Sequence, residues 1–279
     1  MCGMAACGSK GLGGKGKGAT TLKASDAKWK DTELSIGKAN AKFFMTGSNK
    51  DKDPLFMNTY FSDFPAGAEV TVGETKGTTS ESGYLSLDVD MNGKVGGQSL
   101  KAISNGAVDL GVQITIKAKD SETIEEKLPA MRVEAAVAAG LAKVRDGAVK
   151  FDGEPADDGK VGSIALVEVS SLSQIKLVGS ADKLWDIDWV AVSEKRESGR
   201  VKACSGYEKT AGDVNVTQVD SVVKIYDRRS GKLVAEKTFQ PKDECPSFAM
   251  VSKDKTAKNY VSDSDIEPWV RENFDKARQ

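Results

Sequence analysis

Histidine is absent from all 279 residues. Without imidazole there is no Ser-His-Asp or Cys-His nucleophile, no His-ligated zinc or haem, and no histidine pH switch. Cysteine is scarce as well, with only Cys2, Cys7, Cys204 and Cys245, and none of these forms a C-x-x-C redox motif. No apolar run approaches the roughly 18 residues that a membrane-spanning helix needs. Nor is there a basic stripe interleaved with aromatics, so the sequence gives no reason to expect a nucleic-acid partner.

Hydrophobic residues at 39% and charged residues at 29% describe a chain able to bury a core, with length for one large or two ordinary domains. The overall charge of −1 conceals an asymmetry. Residues 1–30 carry Lys10, Lys15, Lys17, Lys23, Lys28 and Lys30 against the single acid Asp26, which leaves the rest of the chain mildly acidic. A basic tail of this kind suits an anionic lipid surface.

Within that tail, Gly11–Gly16 match G-x-G-x-x-G, and Lys17 completes a G-x-x-x-x-G-K spacing. Neither match has its context. No strand precedes it, and Gly18 stands where a phosphate-binding loop carries Ser or Thr. The stretch therefore reads as a Gly/Lys tether.

Just before it, Met4-Ala5-Ala6-Cys7 followed by Gly8-Ser9-Lys10 resembles the lipobox of bacterial lipoproteins. The resemblance implies that Cys7 receives the lipid and becomes the mature N-terminus, anchoring the protein in the cell envelope. Six upstream residues are too few for a signal peptide, so it also implies a precursor start upstream of Met1. The competing expectation is a cytoplasmic chain with a Gly/Lys tail. In an exported protein Cys204 and Cys245 are most simply a structural disulfide; in a reducing cytosol they would be free thiols.

Beyond the tail, period-two alternation predicts a mainly β protein of two β-rich domains. Residues 31–148 read as a β-sandwich-like domain, with strands through "AKFFMTG", "LFMNTYF", "AEVTVG", "YLSLDVD" and "GVQITIKAK". A helix from Pro129 in its first turn to Gly147 as its terminator closes it, with a strand through "AMRVEAAVA" as the alternative. The loop 150–160, carrying Asp152, Glu154, Asp157 and Asp158 as solvated charge or as a weak cation site, marks a boundary. Residues 149–279 read as a second sheet with a C-terminal helix. "SIALVEVS" and "LWDIDWVAV" are strands, "SVVKIYDRRSGKLVAEKTF" is a hairpin turning at Gly231, and the helix is capped by Ser264 with Glu267.

Three constellations have chemical grammar. Asp88, Asp90 and Asn92 stand at positions 1, 3 and 5 of a calcium loop with Gly93 at position 6, but Ser99 replaces the closing glutamate; Asn92-Gly93 is also a hairpin turn. Asp186 and Asp188 share a strand face, as a carboxylate pair for glycoside hydrolysis or as solvent-facing charge. Trp185 and Trp189 share the other face, as a sugar-stacking platform or as core. The reading these support is a non-catalytic, lipid-anchored binding or scaffold protein of the bacterial envelope, with an envelope protein or glycan as partner. The alternatives are a histidine-free carboxylate hydrolase and a calcium-stabilised adhesion module.

Overall fold

A computed structural model describes residues 21–47, 55–156, 158–169, 175–207, 212–247 and 249–279. The chain is mainly β, with a few helices, as the alternation predicts. Strands β1 (Ala27–Lys30), β2 (Glu33–Ile36), β3 (Ala39–Thr46) and β4 (Phe56–Ser62) are successive antiparallel neighbours. The hairpin β5 (Glu69–Val72) and β6 (Thr75–Thr78) leaves this sheet, and β7 (Leu85–Asp90) returns to pair with β4. Short helices α1 (Asn92–Gly96) and α2 (Leu100–Asn105) lead to β8 (Ala107–Val108), β9 (Gln113–Lys117) and β10 (Ile124–Lys127). The second sheet has the order β10-β9-β5-β6.

The inner faces of these two sheets meet in one apolar cluster. Ala41, Phe43, Met57 and Phe61 come from the first sheet, and Val70, Val72, Ile114 and Ile116 from the second. This is the sandwich-like arrangement expected from residues that alternate inward and outward along each strand. The cluster also takes in Leu22, and Trp29 leans on Phe43 with ring centroids 5.6 Å apart. The indole N–H of Trp29 donates to Glu126 Oε2 at 2.9 Å. Residues 22–30, the end of the basic tail, are thus part of the fold, with Ala27–Lys30 in the first sheet as β1, because Leu22 and Trp29 have apolar surface to bury. Cys7 and the Gly/Lys repeat lie outside the described residues.

The predicted helix begins later than Pro129. Met131 and Arg132 form β11 (Met131–Arg132), which pairs with β8, and only then does α3 (Glu134–Ala142) start. Long-range strand pairing here overrides local helix propensity. A short 3₁₀ turn carries the chain on to Gly147, whose φ of 148° ends it. Helix α3 is buried on most sides and touches β3 as well as the later strands. It passes so close to the end of β3 that a Cβ on Gly47 would lie 2.3 Å from the Ala136 carbonyl oxygen and 2.5 Å from the Gly140 nitrogen. Only glycine allows that approach.

The third sheet contains β12 (Ser163–Glu168), β13 (Ile175–Gly179), β14 (Trp189–Cys204), β15 (Val214–Asp227), β16 (Leu233–Phe239) and β17 (Thr256–Tyr260). Its order is β13-β12-β14-β15-β16, with β17 sharing the far side of β15. Strand β12 runs parallel to β14 and is buried on both faces, which explains its unbroken apolar run. The β15–β16 hairpin forms as predicted, with Gly231 at φ 70° and Asp227 Oδ1 accepting the Ser230 N–H at 2.7 Å. One face of the sheet joins the sandwich cluster through Ala165, Val167, Val190 and Val192, so a single core crosses residue 149.

The other face is covered by α4 (Asp263–Ala277), whose Ile266, Val270 and Phe274 pack on Ile164, Leu166, Trp189 and Phe239. Burying each of those three side chains stabilises the docking by roughly 1.5–3 kcal/mol. The helix is capped not by Ser264 but by Ser262, whose hydroxyl accepts the Ser264 N–H at 3.3 Å. Glu267 bonds Lys176 instead.

Candidate functional site

A dense, largely buried polar cluster lies at the hairpin turn after β15. Arg228 is fully buried. Its Nε donates to the Ile187 carbonyl, Nη1 to the Val149 carbonyl at 2.7 Å, and Nη2 to both Glu154 Oε1 and the Trp185 carbonyl, the latter at 2.8 Å. The guanidinium also lies over the Phe151 ring, 5.3 Å from its centroid. Its backbone donates to the Asp188 carbonyl and accepts from Val149, each at 2.8 Å. One arginine thereby fastens three loops that are remote in sequence.

Arg229 extends the cluster. Its Nε donates to Glu154 Oε1 at 2.9 Å, and its Nη1 is 3.8 Å from Asp188 Oδ1. The other Asp188 oxygen accepts the N–H groups of Gly162 at 2.6 Å and Ser163 at 3.1 Å. Burial raises the Asp188 carboxyl, a shift only partly offset by those N–H bonds and by Arg229 and Arg228. Burial would raise Glu154 too, but the hydrogen bonds and charge of Arg228, with Arg229 and the Phe151 N–H, hold it below the ordinary carboxylate value.

A glycosidase needs two carboxyl groups facing each other across space for a scissile bond. Here a guanidinium sits between Asp188 and Glu154, and the acceptor oxygens are committed to the fold. What this geometry does is lock loops in place.

The expected strand over "LWDIDWVAV" is corrected. Leu184–Asp186 form a 3₁₀ turn and β14 starts only at Trp189, because Asp186 closes the turn by accepting the Lys183 N–H at 2.9 Å. Asp186 and Asp188 therefore share no strand face. The tryptophans also part company. Trp189 is buried in the cluster under α4, whereas Trp185 lies half-buried against Gly97 and Gly153, with Lys183 Nζ 5.3 Å from its ring centroid. They form no joint platform.

The residues of the calcium-like spacing each make local hydrogen bonds. Asp88 Oδ1 accepts from Asn58 at 2.6 Å, Asp90 Oδ1 from the Asn92 N–H at 2.8 Å, and Asn92 Oδ1 from the Leu55 N–H at 3.1 Å. Asn92 is buried and opens α1 rather than a hairpin. Among the described residues no group of three or more Cys, Asp or Glu side chains is placed to hold a metal ion.

An exposed surface remains that the sequence reading did not single out. Phe44 on β3 is 47% exposed and Tyr60 on β4 is 40% exposed, on the face of the first sheet turned away from its core. Their rings make an edge contact with centroids 6.2 Å apart. The register sets Phe44 opposite Asn58, Asn58 opposite Asp88, and Lys42 opposite Tyr60. Lys42 pairs with Glu33 at 2.8 Å. The outcome is an aromatic pair framed by hydrogen-bonding side chains on an open sheet.

No family model, curated protein or solved structure matches the chain. The site is read from its own chemistry.

Cys204 and Cys245 are joined in a disulfide. Such cross-links persist in oxidising, extracytoplasmic compartments. No helix among the described residues is long and apolar enough to cross a membrane.

Proposed function

We propose that this chain is an extracytoplasmic binding protein of the bacterial cell envelope, lipid-anchored through Cys7, that holds a glycan on the outer face of its first sheet. The observation that carries the binding reading is the exposed Phe44–Tyr60 pair beside Asn58, Asp88 and Lys42. Aromatic rings offer a large rigid surface at low conformational cost, suited to the C–H face of a pyranose. Amide, carboxylate and ammonium groups around them match sugar hydroxyls. The disulfide supports the compartment.

Co-sedimentation with insoluble envelope polysaccharide tests the face. The variant Phe44→Ala/Tyr60→Ala is expected to bind at least about tenfold more weakly, the fold-change of losing two modest stacking contacts. Its melting temperature should stay near that of the parent, since both rings are exposed. Equal sedimentation of parent and variant would remove the glycan from this face.

The anchor has a separate test. Protein extracted with detergent from its native host should begin at Cys7 and carry a diacyl- or triacylglyceryl mass. An unmodified chain beginning at Met1 would end the lipoprotein reading and leave the binding face to a cytosolic role.

A further inference from the structure

Between β13 and α4 lies a groove of about 250 Å³ that the proposed glycan face does not involve. Its floor is apolar, formed by Leu166 of β12, Val178 of β13 and Val270 of α4, and its rim carries Lys176, Glu267 and Arg271. The rim cations differ in one respect. Lys176 Nζ is held by Asp263 at 2.6 Å and Glu267 at 2.7 Å, so its own charge is already taken by two carboxylates. Arg271 is exposed and makes no ion pair or hydrogen bond among the described residues. With Asp263 counted the charged side chains here balance, and among the described residues the cation left without an ion pair is the Arg271 guanidinium.

An apolar floor beside one free cation complements a single-chain anionic amphiphile. From this we propose that the groove binds a medium-chain fatty acid, its carboxylate paired with Arg271 and its chain laid on Leu166, Val178 and Val270. A guanidinium offers a planar fork of N–H donors that a carboxylate can accept in pairs. At about 30 Å³ per water-sized group, the groove has room for roughly eight such groups, the scale of a chain of eight to ten carbons. A neutral head group would leave Arg271 as unmatched as it is now. A longer chain would extend out of the groove.

Titration calorimetry of the whole chain with decanoate, kept below its micellar concentration, reads the binding directly. Decanoate is expected to bind with one-to-one stoichiometry, and decanol at least about tenfold more weakly, because the charged hydrogen bonds are missing. Arg271→Ala, a change at an exposed position, should weaken decanoate by a similar factor and leave decanol unaffected. Val178→Phe, which fills the groove from its floor, should weaken both.

Equal affinity for decanoate and decanol, or decanoate affinity unchanged in Arg271→Ala, would overturn the assignment. So would an absence of binding at millimolar decanoate. If sedimentation instead showed a dimer that dissociates in Arg271→Ala, with no decanoate bound, the groove would belong to a second copy of the chain. None of these outcomes depends on the glycan face, whose aromatic pair lies on another sheet.

Discussion

Arg228→Met is expected to lower the free energy of unfolding by about 3–5 kcal/mol, the range for removing one partner of a buried ion pair. Methionine fills much of the same volume but donates nothing. The carbonyls of Ile187, Val149 and Trp185 would lose their donor, and Glu154 would keep a charge with only Arg229 beside it. Each buried group left unpaired costs about 1–3 kcal/mol, which is why the loss exceeds that of a surface pair. The double variant Arg228→Met/Glu154→Gln should recover part of the loss, since the stranded charge is then gone. Denaturant midpoints of the four proteins close the cycle. A loss below about 1 kcal/mol in the single variant would mean that the cluster does not hold the loops together.

The same variant has a pH signature. Glu154 is held below its ordinary value in the folded protein. It therefore contributes stability that is fully present above that ordinary value and is lost as pH falls from there through the depressed one. Removing Arg228 should flatten this acid limb. Asp188 has the opposite sign: its carboxyl is raised, so its contribution is present below the ordinary value and lost as pH rises through the raised one. Arg228 is among the charges that restrain that rise, so the Asp188 effect should widen in the variant while the Glu154 effect shrinks.

Arg228 also shows where sequence reading stops. The turn "DRRSGK" is legible as a turn from Asp227, Ser230 and Gly231, and a hairpin turn is by default solvated. Nothing local marks Arg228 as buried. Its acceptors at Val149, Glu154, Trp185 and Ile187 lie 79, 74, 43 and 41 residues away, and only the assembled fold brings them to it. The acidic loop 150–160 reads as solvated charge for the same reason, although Glu154 is turned inward to this partner.

The strands were more accessible, because their signal is carried by neighbours in sequence. Alternation in "GVQITIKAK" points Val112, Ile114 and Ile116 inward, and the continuous apolar run of "SIALVE" marks a strand covered on both faces. Alternation also misled. "WDIDW" imitates a half-buried strand, yet Asp186 bonds a backbone N–H of its own turn, the local competition that short acidic side chains offer regular structure. The exposed aromatic pair could have been read from the pattern. In "AKFF" and "NTYF", an inward Phe43 forces Phe44 outward and an inward Phe61 forces Tyr60 outward. The signal was parity within a strand; the adjacency of the two rings needed the register of β3 against β4.

Loss of the Cys204–Cys245 cross-link is the second large effect expected. The two cysteines are 41 residues apart, and closing a loop of that length stabilises the fold by about 4 kcal/mol in the chain-entropy model. Among the described residues the strands here are held by their ladders, but the loop between β16 and β17 has few other ties. The apolar cluster at this end is small, built on Cys204, Val214, Val216 and Ala257. The loop after β16 is otherwise tied by Lys202 Nζ to the Asp243 carbonyl at 2.7 Å and by Asn259 Nδ2 to the Lys242 carbonyl at 3.2 Å. Cys204→Ala/Cys245→Ala should therefore lower the melting temperature by about 10 °C, at a few degrees per kcal/mol for a chain of this size. Reductant on the parent protein separates cross-linking from packing. Cys245 is exposed, so the bond is open to attack without unfolding, while Cys204 keeps its sulfur among the valines. If reductant alone reproduces most of the shift, the stabilisation is that of the cross-link; any further loss in the double variant measures the cavity left at Cys204. An unchanged melting temperature in both would mean that the loop is held without the disulfide, and the argument from this bond to an oxidising compartment would then lose its energetic basis.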